Sequence, residues 1–515
     1  MLQIKNLSIY HKKDSKVLLD DFTFSLNSGD KAVLIGEEGN GKSTLLKLIY
    51  DEKLVEDYVE FSGEIIKGNT RFGYLAQELP DELKKKTIFE YLTVDPLFYD
   101  LTPKELADIA GALGLEYDMF YSEQIMETLS GGEKVKLQFA KILISVPDIL
   151  LLDEPSNDID IDTLEWLEGY INSCGLPVLF VSHDETLIER TANVIIHVEL
   201  VRRKTMSRYT IARMPYKQYI DERLLKLSHQ EQMAKKERSE YDKQMEKYRK
   251  IYQRVEHEQN VISRADPGGG RLLKKKMKSV KSMGRRFEKE FDQMTQIPDV
   301  EETMMTKFKP HINVPVGKTV LDLELDRICI GERLLAENIQ LRVMGGQKVC
   351  FIGKNGIGKS TLLKIIVDQL KDREDIKVAY MPQNYEDLLD PSLTPVEFLS
   401  VTGTKEEVTK IRTYLGSIKY TSDEMEHAIS EMSGGQKAKL LFTKMVLDEC
   451  NVLILDEPTR NFSPLSNPVI RDVLKSYNGV IISVSHDRKY IQQVCNVVYE
   501  LNETGLFPIE FVGGE

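Results

Sequence analysis

The sequence predicts an α/β protein in which two copies of one domain are joined by a long helical hairpin. The stretch "VLIGEEGNGKSTLLKLI" at 33–49 returns at 350–366 as "CFIGKNGIGKSTLLKII", and "LSGGEKVKLQFAKILI" at 129–144 returns at 432–447. From the second stretch onward, the offset between the two copies is a constant 303 residues. Repeats in the same order at a fixed separation indicate a duplicated domain.

Each copy alternates short apolar strands with amphipathic helices, which is typical of an α/β domain on a largely parallel sheet. Strands that are buried on both faces of such a sheet are continuous hydrophobic runs. Four runs of this kind are predicted to be core strands: Val33–Ile35, Ile149–Leu152, Cys350–Ile352 and Val452–Leu455.

The length of the chain requires more than one domain, because 515 residues exceed what a single hydrophobic core supports. The repeats predict a first domain at 1–214 and a second domain at 305–515. The intervening residues 215–304 are predicted to be a helical linker with its tip near 260–275.

The composition argues against membrane-spanning and secreted proteins. No stretch approaches 18 uninterrupted apolar residues, so no transmembrane helix is predicted. The N-terminal "MLQIKNLSIY" alternates like a strand and lacks the apolar segment of a secretion signal. The five cysteines include no CxxC pair, which fits buried thiols in a reducing compartment better than disulfides or zinc sites. We therefore expect a cytoplasmic protein.

Both copies contain a glycine-rich loop that fits the pattern GxxxxGK[ST] between a strand and a helix. In this loop, called the P-loop below, backbone N–H groups surround phosphates, the lysine reaches the β- and γ-phosphates, and the hydroxyl holds Mg²⁺. The predicted ATP-binding residues are Gly36, Glu37, Glu38, Gly39, Asn40, Gly41, Lys42, Ser43 and Thr44 in the first copy, and Gly353, Lys354, Asn355, Gly356, Ile357, Gly358, Lys359, Ser360 and Thr361 in the second.

An Asp-Glu pair ends an apolar strand downstream of each P-loop. Asp153 and Asp456 are predicted to bind Mg²⁺ beside the P-loop serines. The adjacent Glu154 and Glu457 are predicted to orient and deprotonate the attacking water. An isolated Asp-Glu pair would be more typical of a solvated turn. After a P-loop and a run such as "LLL", the catalytic interpretation is favoured.

The order P-loop, glutamine, SGG, DEP and SHD in both copies resembles that of the ATP-binding cassette (ABC) ATPases. This resemblance implies two P-loop ABC ATPase cassettes in one chain. By the same likeness, Gln77 and Gln383 would touch Mg²⁺ and the water, and His183 and His486 would contact the γ-phosphate. The signature loops would act on the ATP of the opposite domain, and they are Ser130, Gly131 and Gly132, and Ser433, Gly434 and Gly435.

The resemblance further implies two ATP molecules with Mg²⁺ between the two domains of one monomeric chain. One site would combine Lys42 with Ser433, and the other would combine Lys359 with Ser130. ATP binding would close the pair of domains and hydrolysis would open it, which is a population shift driven by a ligand.

The two copies also differ where the family pattern predicts a likeness. The first copy keeps Asp160 in the loop after DEP, whereas the second has Ser463 at the equivalent place. Tyr10 could stack on an adenine ring, but no aromatic residue lies between Leu321 and Cys350 in the second copy. These departures put equal turnover at the two sites in doubt.

The linker carries the spacing of a coiled-coil seam on both sides of a glycine run. Two helices of about 40 residues would form an antiparallel hairpin on the order of 60 Å long. Pro267 and Gly268–Gly270 are predicted to break the helix and form the tip. The seam residues are Ile220, Leu224, Leu227, Tyr241, Met245, Tyr248, Tyr252, Val255, Leu273, Met277, Val280, Gly284, Phe287, Phe291 and Met294.

The linker is basic although the chain as a whole is acidic. Residues 216–295 contain 21 Lys and Arg and 13 Asp and Glu, a net charge of +8, so the remainder carries −21. A basic run is often only a solvated face. Beside a glycine tip on an acidic ATPase, it favours contact with RNA phosphates. The predicted RNA-binding residues are Arg264, Arg271, Lys274, Lys275, Lys276, Lys278 and Lys281.

Fused cassettes joined by a long charged hairpin resemble the ABC-F family of ribosome-binding ATPases, and "DEPTRNFSPLS" resembles its antibiotic-resistance members. The resemblance implies binding to the ribosomal E site with ATP, with the tip directed toward large-subunit rRNA at the peptidyl-transferase centre. The P-site tRNA would shift and bound lincosamide, pleuromutilin or streptogramin A antibiotics would leave. Hydrolysis would then release the protein.

Three alternatives remain open from the sequence. A housekeeping ABC-F factor would relieve stalled ribosomes without any drug. However, the P-loop serine and the following glutamine are only 34 and 23 residues apart in the two copies, which leaves no room for the large arm of many such factors. A transporter ATPase would need a separate membrane partner. A DNA-repair ATPase is disfavoured by the short hairpin and the lack of a zinc-type cysteine pair.

Overall fold

The structure is a computed structural model, and it describes residues 1–13, 15–201, 206–261, 267–295, 308–309, 311–331 and 333–510. The chain divides into two compact units, one formed by residues 1–216 with 301–515 and the other by residues 217–300. The first unit contains two α/β domains and the second is a helical hairpin. The predicted fold class is therefore confirmed.

The first domain consists of nine strands and seven helices in its described part. The strands are β1 (Leu2–His11), β2 (Val17–Leu26), β3 (Lys31–Ile35), β4 (Val59–Ile66), β5 (Phe72–Leu75), β6 (Ile149–Asp153), β7 (Val178–Val181), β8 (Val194–Val201) and β9 (Met206–Ala212). The helices are α1 (Lys42–Tyr50), α2 (Asp81–Lys84), α3 (Ile88–Leu92), α4 (Pro103–Ala112), α5 (Gly131–Ile144), α6 (Ile161–Ser173) and α7 (Glu185–Thr191).

The hairpin and the second domain follow in the chain. The hairpin helices are α8 (Tyr216–Val261) and α9 (Pro267–Gln293). The strands of the second domain are β10 (Thr319–Ile330), β11 (Arg333–Met344), β12 (Lys348–Ile352), β13 (Val378–Met381), β14 (Val452–Asp456), β15 (Val480–Val484), β16 (Val497–Asn502) and β17 (Gly505–Ile509). Its helices are α10 (Lys359–Leu370), α11 (Pro395–Leu399), α12 (Lys405–Ser417), α13 (Ser422–Glu426), α14 (Gly434–Leu447), α15 (Asn467–Lys475) and α16 (Arg488–Val494).

Each domain is built on a six-stranded sheet, and the two sheets have the same topology. The strand orders are β5-β6-β7-β3-β8-β9 and β13-β14-β15-β12-β16-β17, and only the last strand of each sheet is antiparallel to its neighbour. The predicted core strands fall inside β3, β6, β12 and β14, and nearly all of their residues are buried. A smaller antiparallel sheet, β2-β1-β4 or β10-β11, accompanies each of them.

The topology brings the predicted nucleotide-binding loops together. In the first domain, the strand order places β6, β7 and β3 side by side and parallel. Their carboxyl ends carry the Asp-Glu pair, the SHD segment and the P-loop, respectively. The carboxyl ends of parallel strands form the ligand-binding edge of open α/β sheets. The second domain repeats this arrangement with β14, β15 and β12.

The hairpin helices are antiparallel, because positions later in α8 contact positions earlier in α9. Val255 packs with Met277 and Val280 in the seam, and the Tyr248 ring lies 5.8 Å from that of Phe287. Gly284 leaves room for the Tyr248 ring in the seam, since a Cβ there would lie 2.5 Å from the Tyr248 hydroxyl. The seam is thus closed by aromatic and aliphatic side chains from both helices.

Two details of the predicted hairpin are wrong. Pro267 and Gly268–Gly270 form the first turn of α9 instead of breaking the helix. The first turn tolerates proline, because its missing N–H would have no intrahelical partner there. Leu224, predicted in the seam, is 51% exposed, because the packed part of the seam begins further along α8. Arg264, predicted to bind RNA, lies outside the described residues.

Among the described residues, no helix is both long enough and apolar enough to cross a membrane.

Candidate active site at the interface of the two domains

The P-loops follow β3 and β12 and turn where only glycine fits. A Cβ on Gly36 would lie 2.2 Å from the carbonyl oxygen of Val198, and one on Gly353 would lie 2.3 Å from that of Leu501. Both glycines have a positive φ, of 148° and 142°. Gly41 and Gly358 are also left-handed, and each precedes the helix that starts at the P-loop lysine. The backbone can therefore curl tightly enough to form a phosphate-binding loop.

The P-loop lysines lie over their own loops. Lys42 Nζ donates to the carbonyl oxygens of Gly36 at 2.8 Å and Glu37 at 2.9 Å. Lys359 Nζ donates to Gly353 at 2.7 Å and Lys354 at 2.9 Å. Each ammonium group is therefore held in the curve of the loop, where a phosphate would find both the cation and the N-terminus of α1 or α10.

The residues predicted to hold Mg²⁺ contact each other. Ser43 Oγ donates to Asp153 Oδ1 at 2.8 Å, and Ser360 makes the same hydrogen bond to Asp456. Burial raises the pKa of both aspartates above the ordinary value. A hydroxyl and a carboxylate at hydrogen-bond distance supply the hard oxygen ligands that suit Mg²⁺, so the residues present fit the ion. When bound, Mg²⁺ would neutralise phosphate charge beside these side chains.

Glu154 and Glu457 have an uncommon backbone conformation. Their φ angles are 51° and 53°, in the left-handed region that few residues with a side chain adopt. The backbone N–H of Glu154 donates to Val181 at 3.1 Å, and that of Glu457 donates to Val484 at 3.0 Å. Strained backbone of this kind is concentrated at functional sites. Both glutamates are turned at the end of a core strand next to the SHD segment.

Glu154 forms a close pair with His183, the residue predicted to contact the γ-phosphate. His183 Nε2 lies 2.9 Å from Glu154 Oε1, and His183 Nδ1 lies 2.8 Å from the carbonyl oxygen of Phe462 in the other domain. Burial alone would raise the pKa of Glu154, but His183 and Lys42 hold it below the ordinary glutamate value. This glutamate is therefore ionised and ready to accept a proton.

Glu457 lies in a different environment although its motif is the same. His486 Nε2 is 3.8 Å from Glu457 Oε1, and this oxygen has no hydrogen-bond partner among the described residues. Burial, together with the charge of Asp456, raises the pKa of Glu457 to about 8. Burial and the charge of Lys359 lower the pKa of His486 to about 3. Both side chains are therefore mostly uncharged at neutral pH.

Each signature loop begins a helix, and its serine caps the helix N-terminus. Ser130 caps α5 in a capping box with Glu133, and Ser433 caps α14 in a capping box with Gln436. A capping box fixes the start of a helix and the direction of its first N–H groups. Gly131 and Gly434 then open the helix with no side chain, so another molecule or chain segment can approach the backbone closely.

Each P-loop lies opposite the signature loop of the other domain. A cavity of about 760 Å³, the first nucleotide site, is lined by Glu37, Glu38, Gly39 and Asn40 together with Ser433 and Gly435. A cavity of about 690 Å³, the second nucleotide site, is lined by Asn355, Gly356, Gly358, Lys359, Ser360 and Thr361 together with Gly131. Each cavity therefore joins the P-loop of one domain to the signature loop of the other. Lys42 is not among the lining residues of the first cavity and Ser130 is not among those of the second, so the pairs Lys42 with Ser433 and Lys359 with Ser130 remain predictions.

The first nucleotide site is bridged by a P-loop carboxylate. Glu38 Oε2 accepts a hydrogen bond from the backbone N–H of Gly435, at the N-terminus of α14. The neighbouring Glu37 Oε1 lies 3.2 Å from Lys439 Nζ on the same helix. A carboxylate is favourable at a helix N-terminus. Glu38 therefore occupies the place where a signature loop would receive a phosphate oxygen.

The second nucleotide site is bridged by a neutral P-loop side chain and an acidic loop. Asn355 Nδ2 donates to the backbone carbonyl of Asp158 at 2.6 Å. The Asp158 carboxylate accepts from Gln383 at 3.2 Å and lies 2.9 Å from the Arg460 guanidinium. Asp158 and Arg460 closely follow the DEP motifs but are not predicted from the sequence, because a bridge between domains leaves no local pattern.

The other predicted residues do not occupy equivalent places in the two nucleotide sites. Gln77 and Gln383 both line the second nucleotide site. Tyr10 is half-buried in β1, and its neighbour His11 lines the first site instead. Asp160 caps α6, whereas Ser463 is buried and bonds with Ser466. The stacking of Tyr10 on the adenine and the contact of Gln77 with the Mg²⁺ of the first site remain predictions.

Comparison with known proteins identifies the family. The profile of the family described as "ABC transporter" matches residues 19–157 and 336–460, together 264 of 515 residues and just over half of the chain. The chain is 25% identical to ABC transporter F family member 5 of Arabidopsis thaliana, over 94% of this chain and 73% of the relative. It is 27% identical to the ATP-binding protein Uup of Buchnera aphidicola, over 96% of this chain and 79% of the relative.

Solved structures agree on the fold. The archaeal ribosome recycling factor aABCE1, in complex with the ribosomal stalk protein aP1, superposes with a TM-score of 0.59 at 17% identity, covering 98% of this chain and 90% of that one. A structure described as RNase-L Inhibitor gives a TM-score of 0.56 over the same shares. The family match, the homology to ABC-F members and the paired sites lead to one conclusion. The chain belongs to the ABC transporter family and is an ATPase.

Proposed function

We propose that this ATPase protects ribosomes from antibiotics that act at the peptidyl-transferase centre. In the ATP-bound state, the protein would occupy the ribosomal E site with its hairpin directed toward large-subunit rRNA. The P-site tRNA would shift, a lincosamide, pleuromutilin or streptogramin A would leave, and ATP hydrolysis would release the protein. Ribosome binding and release would both take place in the cytoplasm, where translation occurs.

The observation that carries the proposal is the basic outer face of α9. Arg271, Lys274, Lys275, Lys276, Lys278 and Lys281 are all exposed, and none has an ion-pair partner in the part of the chain that the structure describes. The seam residues Leu273, Met277 and Val280 alternate with them and are buried. Cations presented on a rigid apolar spine, without internal counter-ions, are suited to contact a phosphate backbone.

The relatives also favour a ribosomal partner. ABC transporter F family members align over most of this chain. One superposed structure is described as ribosome-bound archaeal Pelota and ABCE1, with a TM-score of 0.55. A ribosomal partner is therefore a natural choice for a two-cassette ATPase with a basic hairpin. The drug-protecting role rests on the resemblance of "DEPTRNFSPLS" and of the long linker to resistance members.

The residues of the sites would couple ATP to release. ATP bound at a P-loop would bring its γ-phosphate to the signature loop of the other domain and hold the domains closed. Glu154 and Glu457 would orient the attacking water and take its proton, and His183 and His486 would hold the γ-phosphate. Loss of the γ-phosphate would remove the bridge between the domains, and the protein would leave its partner.

Trapping the protein in its ATP-bound state tests whether its partner is the ribosome. The double variant Glu154→Gln with Glu457→Gln should bind ATP without hydrolysing it and should therefore accumulate on ribosomes. We expect it in the ribosomal pellet with ATP but not with ADP, and we expect inhibition of translation in a cell-free system. Absence from the pellet with ATP at low salt would overturn the proposal.

Charge reversal tests the hairpin. Lys274→Glu with Lys275→Glu and Lys276→Glu should leave the ATPase activity of the free protein unchanged, because the nucleotide sites are not altered. Ribosome binding should fall at least tenfold, since three charges are reversed on the proposed RNA face. The matched control reverses Lys236, Lys243 and Lys247, which are equally exposed on α8. Equal losses from both variants would mean that binding is not specific to α9.

Drug susceptibility separates the proposed role from a housekeeping one. Expression of the wild-type protein in a sensitive host should raise the inhibitory concentration of at least one of the three drug classes, and the α9 variant should not. Ribosome binding without any change in susceptibility would instead identify a translation factor for stalled ribosomes. Sedimentation with membranes and not with ribosomes would identify a transporter subunit.

A further inference from the structure

Four buried charged side chains meet where α6 and α7 of the first domain contact α15 and α16 of the second. Glu168 and Glu185 belong to the first domain, and Arg471 and Arg488 belong to the second. All four are at most 6% exposed. None of them lines either nucleotide site. The cluster is therefore a separate feature of the domain interface, called the charge cluster below.

Each glutamate is paired with an arginine of the other domain. The Arg471 guanidinium binds Glu185 with two hydrogen bonds, from Nη1 to Oε1 at 2.6 Å and from Nη2 to Oε2 at 3.1 Å. Arg488 Nη2 donates to Glu168 Oε1. Lys489 adds to the positive side, since its Nζ lies 3.2 Å from Glu185 and 2.5 Å from Glu189. All of these pairs join the two domains.

The duplication makes the pairing informative. At the constant offset of 303 residues, Glu168 corresponds to Arg471 and Glu185 corresponds to Arg488. Both positions are therefore acidic in the first domain and basic in the second. The side chains that support them exchange roles in the same way. Arg190 Nη1 donates to Glu168 at 3.0 Å, and Arg471 Nε donates to Gln493 at 2.9 Å, where Gln493 is the counterpart of Arg190.

The interface is thus pseudo-symmetric in position but opposite in charge. If two first domains met through this surface, Glu168 of each would lie against Glu185 of the other, and four carboxylates would be buried together. If two second domains met, Arg471 would lie against Arg488. Like charges brought together without water are strongly unfavourable, so either arrangement would be excluded. Only a first domain and a second domain are complementary.

We infer that the charge cluster selects the pairing partner, so that the surface of a first domain accepts a second domain of this kind and rejects another first domain. Specificity of this type combines an attractive pair with a repulsive alternative. It matters here because two homologous ATPase domains share nearly the same fold, and a cell that makes several such proteins contains many competing surfaces. The inference concerns the pairing that builds both ATP sites and does not depend on the ribosomal partner.

The test uses three variants of the full chain. Glu168→Arg with Glu185→Arg makes all four positions basic, and Arg471→Glu with Arg488→Glu makes all four acidic. Each double variant should lose at least tenfold of the ATPase activity of the free protein, because the domains repel each other. The quadruple variant, which exchanges the charges, should recover to within threefold of the wild type. Failure of the quadruple variant to exceed either double variant would overturn the inference.

Folding is controlled separately. Far-UV circular dichroism should show that the double variants keep the secondary structure of both domains. The control Glu116→Arg with Glu123→Arg makes the same change in net charge at exposed positions outside the cluster and should keep wild-type ATPase activity. If a double variant has lost its secondary structure, the quadruple variant still tests the inference. Recovery of ATPase activity in the quadruple variant requires opposite charges on the two domains, whichever domain carries the negative ones.

Mixing the two double variants tests partner selection directly. The basic first domain of one chain complements the acidic second domain of the other, and the two remaining wild-type domains also complement each other. The mixture should therefore contain a two-chain species by light scattering, and its ATPase activity should exceed that of either variant alone at least fivefold. A mixture that stays single-chain and inactive would contradict partner selection.

Discussion

The two nucleotide sites of this protein carry the same motifs but differ in their chemistry. At Glu154, a histidine 2.9 Å away and the P-loop lysine keep the carboxylate ionised. At Glu457, the histidine is 3.8 Å away, and burial raises the pKa of the carboxyl group to about 8. A shared motif therefore specifies where a catalytic group lies, whereas its protonation depends on contacts outside the motif.

The bridges across the two sites differ in the same way. In the first site, the charged Glu38 reaches the N-terminus of α14, while in the second the neutral Asn355 reaches the carbonyl of Asp158. The first site is thus closed through an anion that resembles a phosphate oxygen. The second is closed through a contact with the loop that follows the DEP motif of the first domain. After duplication, the two sites could diverge because each is built from non-equivalent residues of both domains.

The largest change in ATP hydrolysis should come from replacing the two catalytic glutamates, and the two single replacements should differ in size. Removing both general bases should lower ATP hydrolysis by about 100-fold or more. At pH 7, Glu154→Gln alone should cost more than tenfold, whereas Glu457→Gln alone should retain more than a third of the activity, because Glu457 is largely protonated in the free protein. Steady-state phosphate release measures this difference. Equal losses from the two single variants would contradict the proposed difference between the two glutamates.

The pH dependence of hydrolysis in the single variants should further distinguish the two carboxyl groups. kcat/KM reports the ionisation of the free enzyme. In Glu154→Gln, hydrolysis depends on Glu457, so kcat/KM should rise about tenfold per pH unit up to a midpoint near 8. In Glu457→Gln, it depends on Glu154, whose pKa is lowered, so kcat/KM should be flat from pH 6 to pH 8. Matching profiles would show that the two carboxyl groups titrate alike.

An intermediate effect is expected from the P-loop bridges. Glu38→Asn should strengthen ATP binding at the first site by about two- to fivefold, because ATP no longer competes with a carboxylate at the helix N-terminus. The reciprocal Asn355→Glu should weaken binding at the second site by a similar factor. Fluorescent ATP titration of each variant measures both. A loss of affinity in Glu38→Asn would mean that Glu38 supports the site instead of blocking it.

The smallest effect should come from the Asp158–Arg460 pair. Both side chains are partly exposed, at 58% and 27%, so their coupling should be less than about 1 kcal/mol. A double-mutant cycle with Asp158→Ala and Arg460→Ala, read by urea unfolding, measures this coupling. Asn461→Ala is the control, because Asn461 is the counterpart of Asp158 and bonds instead to Tyr385 in its own domain. A coupling well above this limit would make the pair a main contact between the domains.

Local sequence patterns predicted most of the fold and the motif residues of each nucleotide site. The P-loops, the strands before them and the Asp-Glu pairs are recognisable because each depends on residues close together in the chain. The prediction that Pro267 and Gly268–Gly270 break the helix is wrong, since a first helical turn tolerates proline and glycine when the following residues pack well. The prediction that Leu224 lies in the seam is wrong because periodicity does not reveal where packing begins.

Local sequence patterns are enough to predict two ATPase domains, each with its own lysine, serine, aspartate and glutamate in a fixed order. How these domains differ when they meet depends on the tertiary structure. Glu38, Asp158 and the charge cluster act on partners between about 200 and 400 residues away in the chain. Contacts at such separations depend on how two folded surfaces dock, and the pKa of a buried group depends on the resulting neighbours. Neither is visible in a local pattern of residues.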